Sequence, residues 1–516
     1  MTKQTFLQGT LMLIFAGMIT RLLGFVNRLV VARVMGEEGI GLYMMALPTM
    51  MLVVTITQLG LPVAISKRVA EAHANNNSKK IKRIMTVAFI VTLVTSTIST
   101  LFLMICTPFI ANHFFTDPRI IYPLYAIGPV IPIMAISGLL KGYFQGMQNM
   151  RPQSFALVIE QIIRIACVIL LIQLLLPFGI EFAAAGAMIS VIFGEFASLL
   201  YMVYTFKKQK SIRIRKNFFA FIGSSTQTIK ELFSIAIPST GSRLINSFSM
   251  FLEPIIITQS LALAGISSAL ATKQYGELTG YIIPLLFLPT FITHSLSIAL
   301  LPSIAEADAT KNNSFIFHRI HQAIRVSFAS GAIATIILSL FASPILLYMY
   351  GTSNASPLLM MMAPFYLLLY IQAPLQAALQ ALDLARPAMW NSLLGTCMKL
   401  GLLFTLASHP SFGIMGAAIA MSFSVVFVTL LHLRSLHKWI KFSIPLQDIG
   451  KMLGLVFSTW MVAHMFRSIL LYFNDHILIF GGIILLLCFI YGLFLLLFKF
   501  ITREELEQLP FIQKWM

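Results

Sequence analysis

Hydrophobic positions along the chain cluster into long runs separated by short polar segments. Fourteen runs reach or approach the roughly 20 apolar residues a helix needs to cross a bilayer. They cover 8–34, 40–65, 84–107, 120–141, 156–176, 183–205, 232–257, 278–301, 323–348, 357–380, 388–408, 413–433, 449–471 and 477–499. The first run is the least regular, because Arg21, Asn27, Arg28 and Arg33 interrupt it. It is followed by no small-residue cleavage site, so it reads as a retained first span rather than a secretory signal. No connecting segment is long enough for a soluble catalytic domain. The longest, 206–231, is basic and amphipathic and is expected on the inner leaflet. The tail TREELEQLPFIQKWM is expected to form at most a short surface helix.

Composition agrees with this pattern. Hydrophobic residues make up 58% of the chain and charged ones 10%, against about 25% charged in soluble proteins. The predicted class is an all-α polytopic membrane protein. Its formal charge of +18 first indicates orientation, since Lys and Arg accumulate in cytoplasmic loops. With the N-terminus inside, the cytoplasmic segments hold 26 Lys and Arg, and the outside loops only Arg119 and Lys273. Both termini are therefore expected in the cytoplasm, with Trp390, Trp439 and Trp515 near the inner interface. The same excess suits anionic inner-leaflet lipids as partners. Nucleic acid is excluded as a partner, because no soluble domain carries a basic patch.

The chain repeats itself. Leu47-Pro48-Thr49 recurs at Leu288-Pro289-Thr290, and Leu61-Pro62 at Leu301-Pro302. Glu71-Ala72 before an Asn run recurs as Glu306-Ala307 before Asn312-Asn313. Arg151-Pro152 recurs 235 positions later as Arg386-Pro387, and at the same offset Arg164 meets Lys399. Phe178-Gly179-Ile180 recurs as Phe412-Gly413-Ile414, and Thr20-Arg21-Leu22 aligns with Ser242-Arg243-Leu244. Six spans per half make the repeat parallel, with its pseudo-twofold axis along the membrane normal. The expected organisation is an N-lobe at 1–226 and a C-lobe at 227–442, two six-helix bundles around a central cavity. Spans 13 and 14 with the tail follow at 443–516.

These features resemble a known family. Fourteen spans arranged as six, six and two look like the multidrug/oligosaccharidyl-lipid/polysaccharide flippase superfamily. TRLLGFVNRLVVARVMGEEGIGLY (20–43) resembles the opening of its lipid II flippase branch. RPQSFALVIEQIIRI (151–165) resembles the fifth span of its sporulation polysaccharide-export group. The resemblance implies outward flipping of a polyprenyl-diphosphate-linked peptidoglycan precursor for spore cortex, with wall-synthesis enzymes as partners. The chain departs from the lipid II branch at Asn27, at Arg28 and in YGELTGY (275–281), where Lys273 or Arg243 stands in for an expected arginine.

Charges inside a membrane must face protein or water, because at the bilayer centre each costs at least about 2.5–3.5 kcal/mol. Arg21, Arg164, Arg243 and Lys399 are the candidate cavity cations for binding an anionic cargo; Glu160, Glu195 and Glu253 are the candidate pairing or ion-coupling groups. A guanidinium fork grips phosphate oxygens in pairs, and Arg21 and Arg243 hold equivalent repeat positions. Against this stands simple packing against backbone carbonyls. Glu160 and Arg164, four apart, suit an intrahelical pair, read either as mutual neutralisation or as a latch released by cargo. Lys399 has Gly395 where that carboxylate would stand. Glu253 precedes Pro254, and it either pairs with Arg243 or takes a coupling cation or proton.

Gln58, Gln372 and Gln376 suit sugars and helix–helix hydrogen bonding equally. Four separate cysteines and the His318/His321 pair offer no metal-ligand spacing, and no catalytic or nucleotide motif occurs. No enzyme activity, cofactor or metal is expected. Two further readings stand beside the flippase: a cation- or proton-coupled multidrug exporter of the same superfamily, and a non-transporting scaffold for wall synthesis.

Overall fold

The computed structural model describes residues 6–208, 226–472, 476–498 and Phe500, and among these residues there is no β-strand. The order of α-helices begins α1 (Phe6–Gln58), α2 (Leu61–Ala74), α3 (Ser78–Phe114), α4 (Ile121–Ile127), α5 (Val130–Gly146) and α6 (Arg151–Leu175). It continues with α7 (Ile180–Lys208), α8 (Thr226–Leu263), α9 (Ser268–Gly276), α10 (Ile283–Phe287), α11 (Thr290–Ala309) and α12 (Asn313–Leu340). The last six are α13 (Ala342–Tyr350), α14 (Ser356–Ala381), α15 (Ala385–Ala407), α16 (Gly413–Ile440), α17 (Leu446–Tyr472) and α18 (Ile477–Leu497). Most of the basic 206–231 segment and the tail beyond Phe500 lie outside the described residues.

Among the described residues, ten helices are long and apolar enough to cross a membrane, or up to twelve if each of two bent pairs is one span. The sequence reading counts fourteen. Two features account for the difference. The first two expected spans meet within α1, which counts once although two helices join there at Gly36, where the backbone is not helical (φ 70°, ψ −172°), angles that a side chain would strain. The eleventh expected span is α15, where Asn391, Ser392, Thr396 and Lys399 dilute the apolar pattern.

The chain divides into two compact units, Met1–Gly280 and Tyr281–Met516, with α8 and α9 in the first. The first unit packs α2, α3 and α5 around Ile65, Ile84, Tyr143 and Phe144. The second packs α12, α14 and α17 around Ile320, Phe328, Leu375 and Leu455. Burial grades the helices: 61% of the apolar window of α7 is buried but only 17% of that of α3 and of α18. An apolar helix exposed to that degree is suited to lipid.

Local backbone geometry recurs at the offset seen in the sequence. Asn76 (φ 51°) and Lys311 (φ 56°) are 235 apart, as are Gln148 (φ 54°) and Asp383 (φ 58°). Asn77 caps α3 by accepting from the Lys80 amide at 2.9 Å, and Asn312 caps α12 by accepting from the Phe315 amide at 3.1 Å. Side-chain oxygens at these positions satisfy amides the first helical turn leaves open.

In the second unit, breaks in helical winding are repaired from a distance. The Tyr370 hydroxyl donates to the Leu286 carbonyl at 2.9 Å, beside the α10–α11 bend. The Tyr350 hydroxyl donates to the Tyr281 carbonyl at 3.3 Å, inside the π-helical stretch Glu277–Ile282. Away from water, a carbonyl freed by a bend needs such a donor.

Candidate functional site: a buried charge cluster in the first unit

The cluster begins on α6. Glu160, 5% exposed, accepts from the Arg164 guanidinium at 2.6 Å, and the Gln161 amide donates to the same carboxylate oxygen at 3.4 Å. The four-residue spacing alone aims these two charges at each other. Gly194 of α7 then lets a second carboxylate approach. A Cβ there would sit 2.8 Å from the Glu160 carbonyl oxygen, so the two backbones meet where only glycine fits. The next residue, Glu195, is 3% exposed and lies beside Glu160. Its carboxylate is 3.9 Å from the Lys141 ammonium of α5.

Helix α1 closes the cluster. Asn27, 4% exposed, hydrogen-bonds the buried Tyr43 hydroxyl, and that hydroxyl lies in the fields of Arg164 and Arg28. The Asn27 side-chain oxygen has no partner. Two carboxylates and several cations thus share a mostly dry interior. Such an arrangement is stable only while each charge keeps its counterpart.

The structure therefore brings three of the candidates, Glu160, Arg164 and Glu195, into one network. Arg21 and Arg243 are exposed, on α1 and α8, two helices joined by a 2.9 Å hydroxyl contact between Thr55 and Ser247. Glu253 stands on α8 near Tyr275 of α9. Lys399 is half-buried on α15 in the second unit. Lys141, Tyr43 and Gln161 were not among the candidate site residues read from the sequence; Lys141 lies within α5.

A second cluster gathers around the α1 kink. Arg119 reaches Glu38 at 2.5 Å and Asp117 at 2.7 Å. The Thr272 hydroxyl donates to Asp117 at 2.9 Å, and Lys273 pairs with Glu37 at 2.8 Å. Burial pushes the Asp117 carboxyl up, but hydrogen bonds from Arg119 and Thr272 outweigh it and hold the group below the ordinary carboxylate value. The two basic residues of the expected outside loops are thus a clasp binding three segments. Only charge counting, not pairing, was readable from their positions.

Residues 6–308, more than half of the chain, match the family described as polysaccharide biosynthesis protein. The chain belongs to that family. This family member is 48% identical to stage V sporulation protein B of Bacillus subtilis (strain 168), over 99% of both chains. Among solved structures it resembles the lipid II flippase MurJ in an inward closed conformation. The TM-score is 0.71 at 12% identity, covering 96% of this chain and 100% of that one. It also resembles an inward-facing multidrug resistance MATE transporter of the MOP superfamily. There the TM-score is 0.64 at 16% identity, covering 82% of this chain and 94% of the other. This family member is thus a multi-pass membrane protein, helical throughout its described spans, with the fold of these two solved proteins.

Proposed function

We propose that this protein is a flippase that moves a polyprenyl-diphosphate-linked peptidoglycan precursor outward by alternating access, in the synthesis of spore cortex. The observation that carries this reading is the end-to-end identity to a sporulation protein, on a fold shared with a lipid II flippase. Fourteen spans follow if each bent pair is one span, the α1 kink separates two and α15 is counted. The turns repeating at 235 residues support a duplicated chain, with lobes at 1–226 and 227–442 and the α17–α18 pair appended at 443–516. The Lys and Arg distribution supports cytoplasmic termini.

In this reading Arg21 and Arg243 are the diphosphate-binding cations, because exposure within a span is tolerated for a charge only toward a wet cavity. Arg164 and Lys399 add to the field. Glu160, Glu195 and Glu253 hold the cations when cargo is absent, or couple transport to an ion. The energetics need no nucleotide. A diphosphate carries about two negative charges, and each crossing 100 mV, negative inside, gains about 2.3 kcal/mol. Anionic inner-leaflet lipids and wall-synthesis enzymes complete the expected partners.

Glu160 and Glu195, two buried adjacent carboxylates, favour a second reading, a proton- or cation-coupled exporter of organic cations. Reconstituted vesicles separate the two. The flippase reading expects a labelled polyprenyl-diphosphate saccharide to cross in a protein-dependent way, faster under an imposed potential. Arg21→Ala and Arg243→Ala should abolish crossing while leaving the protein level unchanged. Transport of an organic cation without crossing of the lipid would replace the first reading by the second.

A further inference from the structure

Where α17 meets α12 in the second unit, the structure holds a cavity of about 270 Å3 lined by His318, His321, Arg325, Asp448, Lys451 and Phe500. That is at or below the small end of ordinary ligand pockets, which start at about 300 Å3, and it suits a headgroup rather than a whole metabolite. Among the described lining residues, Arg325 and Lys451 are permanent cations and Asp448 is the carboxylate, 3.6 Å from the Lys451 ammonium. His318 can add a donor, and His321 faces the Ser443 backbone. Ile324, Met452 and Phe500 supply an apolar wall, which a free ion would not use.

The lining is fixed by its surroundings. The His321 ring lies 4.7 Å from that of Phe442, which is 2% exposed. Phe500 stacks on Phe328 with centroids 6.3 Å apart. The cavity lies at the starts of α12 and α17, the helix ends that adjoin two Lys/Arg-bearing segments, 302–322 and 434–451.

We propose that this cavity is a binding site for the phosphate headgroup of an anionic phospholipid, seated where the appended helix α17 docks. Its place in the inner leaflet rests on the orientation argued above; the binding chemistry rests on the cavity alone. Basic pockets between membrane helices on the cytoplasmic side are suited to such headgroups.

The test uses the purified full chain in mild detergent, where both faces are accessible and orientation does not enter. Native mass spectrometry measures binding of phosphatidylglycerol, with phosphatidylcholine for comparison and inorganic phosphate as competitor. Phosphatidylglycerol should bind at least about fivefold more tightly than phosphatidylcholine. Lys451→Gln should weaken it by roughly fivefold, the effect of one basic residue at an anionic surface, while Lys451→Arg retains it. The side chain of Lys451 is 46% exposed, so the change leaves the fold intact. A His318→Gln/His321→Gln double variant should weaken binding further. Equal binding of the two lipids, or variants indistinguishable from the parent, would overturn the site. Displacement of phosphatidylglycerol by millimolar inorganic phosphate would overturn the lipid assignment in favour of the free ion.

Discussion

The α6–α7 and α15–α16 hairpins are the pair that the proposed repeat would align, and they solve the same packing problem by different chemistry. In α6–α7 the first helix carries Glu160 and Arg164, and the glycine that permits close approach, Gly194, lies on the second. In α15–α16 the position of Glu160 is taken by Gly395, and the close approach moves to the first helix, against the Val428 side chain. The hydrogen bonds made by Asn391 between the two helices involve neutral groups. The Asn391 amide donates to the Leu431 carbonyl at 3.1 Å and to the Ser435 hydroxyl at 2.9 Å. His432 alongside is fully buried, with Nε2 unpartnered. The two hairpins thus differ in chemistry: one holds a buried carboxylate where the other has a glycine. Buried charge retained at a stability risk points to a working role in the first hairpin.

The largest expected effect comes from splitting the charge pair. Glu160→Ala leaves the half-buried Arg164 without its carboxylate and should destabilise the purified protein by about 3–5 kcal/mol. Glu160→Gln with Arg164→Met should recover much of that, read as the thermal midpoint in detergent. If the double variant is stable but inactive in flipping, the charges serve transport; if it is stable and active, they serve only packing. A double variant no more stable than Glu160→Ala would break the comparison.

The two glycines offer the next test. Gly194→Ala presses on backbone and should cost about 1–3 kcal/mol, with no side-chain change able to relieve it. Gly395→Ala presses on a side chain instead, so Val428→Ala should rescue it. Equal behaviour at both sites would show that the hairpins pack alike after all.

Smaller again is Asn391→Ala, expected to cost about 0.5–1.5 kcal/mol for each hydrogen bond lost. Urea or thermal unfolding of the pure protein would register it. Its effect should stay well below that of Glu160→Ala, since no charge is stranded.

The clasp around the α1 kink supplies a second paired carboxylate, Asp117, to set beside the Glu160–Arg164 pair. Asp117 is held below its ordinary value, so its contribution is present above the usual carboxylate range and lost as pH falls through the depressed value. Thermal midpoints measured from neutral pH downward should show an acid limb that Asp117→Asn flattens. An unchanged limb would mean that other groups set it.

Much of the fold was legible because a membrane leaves few options: apolar runs of sufficient length become helices. The break in α1 was legible as the gap between the runs 8–34 and 40–65, but not which residue bends, since Gly36 and Gly39 both lie in that gap. The pairing of Glu160 with Arg164 was legible because both lie on one helix at a fixed spacing. The approach of Lys141 to Glu195 was not, because it depends on how α5 packs against α7, and the residues are 54 positions apart. The clasp of Arg119 and Lys273 was hidden for the same reason. Arg21 and Arg243 were legible as charges within spans, and their exposure is what the structure adds.

The tyrosines of the second unit bear on how this protein tolerates inherited variation. Exchange of tyrosine for phenylalanine is ordinarily among the mildest of replacements, a lost oxygen on an unchanged ring. At Tyr370 and Tyr350 that oxygen serves the main chain of another segment, at Leu286 and Tyr281. Phenylalanine there would keep the shape and leave a carbonyl stranded in an apolar setting, a loss of about 1–3 kcal/mol. Lineages free to exchange aromatics elsewhere are therefore expected to hold a hydroxyl at these two sites, or to straighten the bend that requires it.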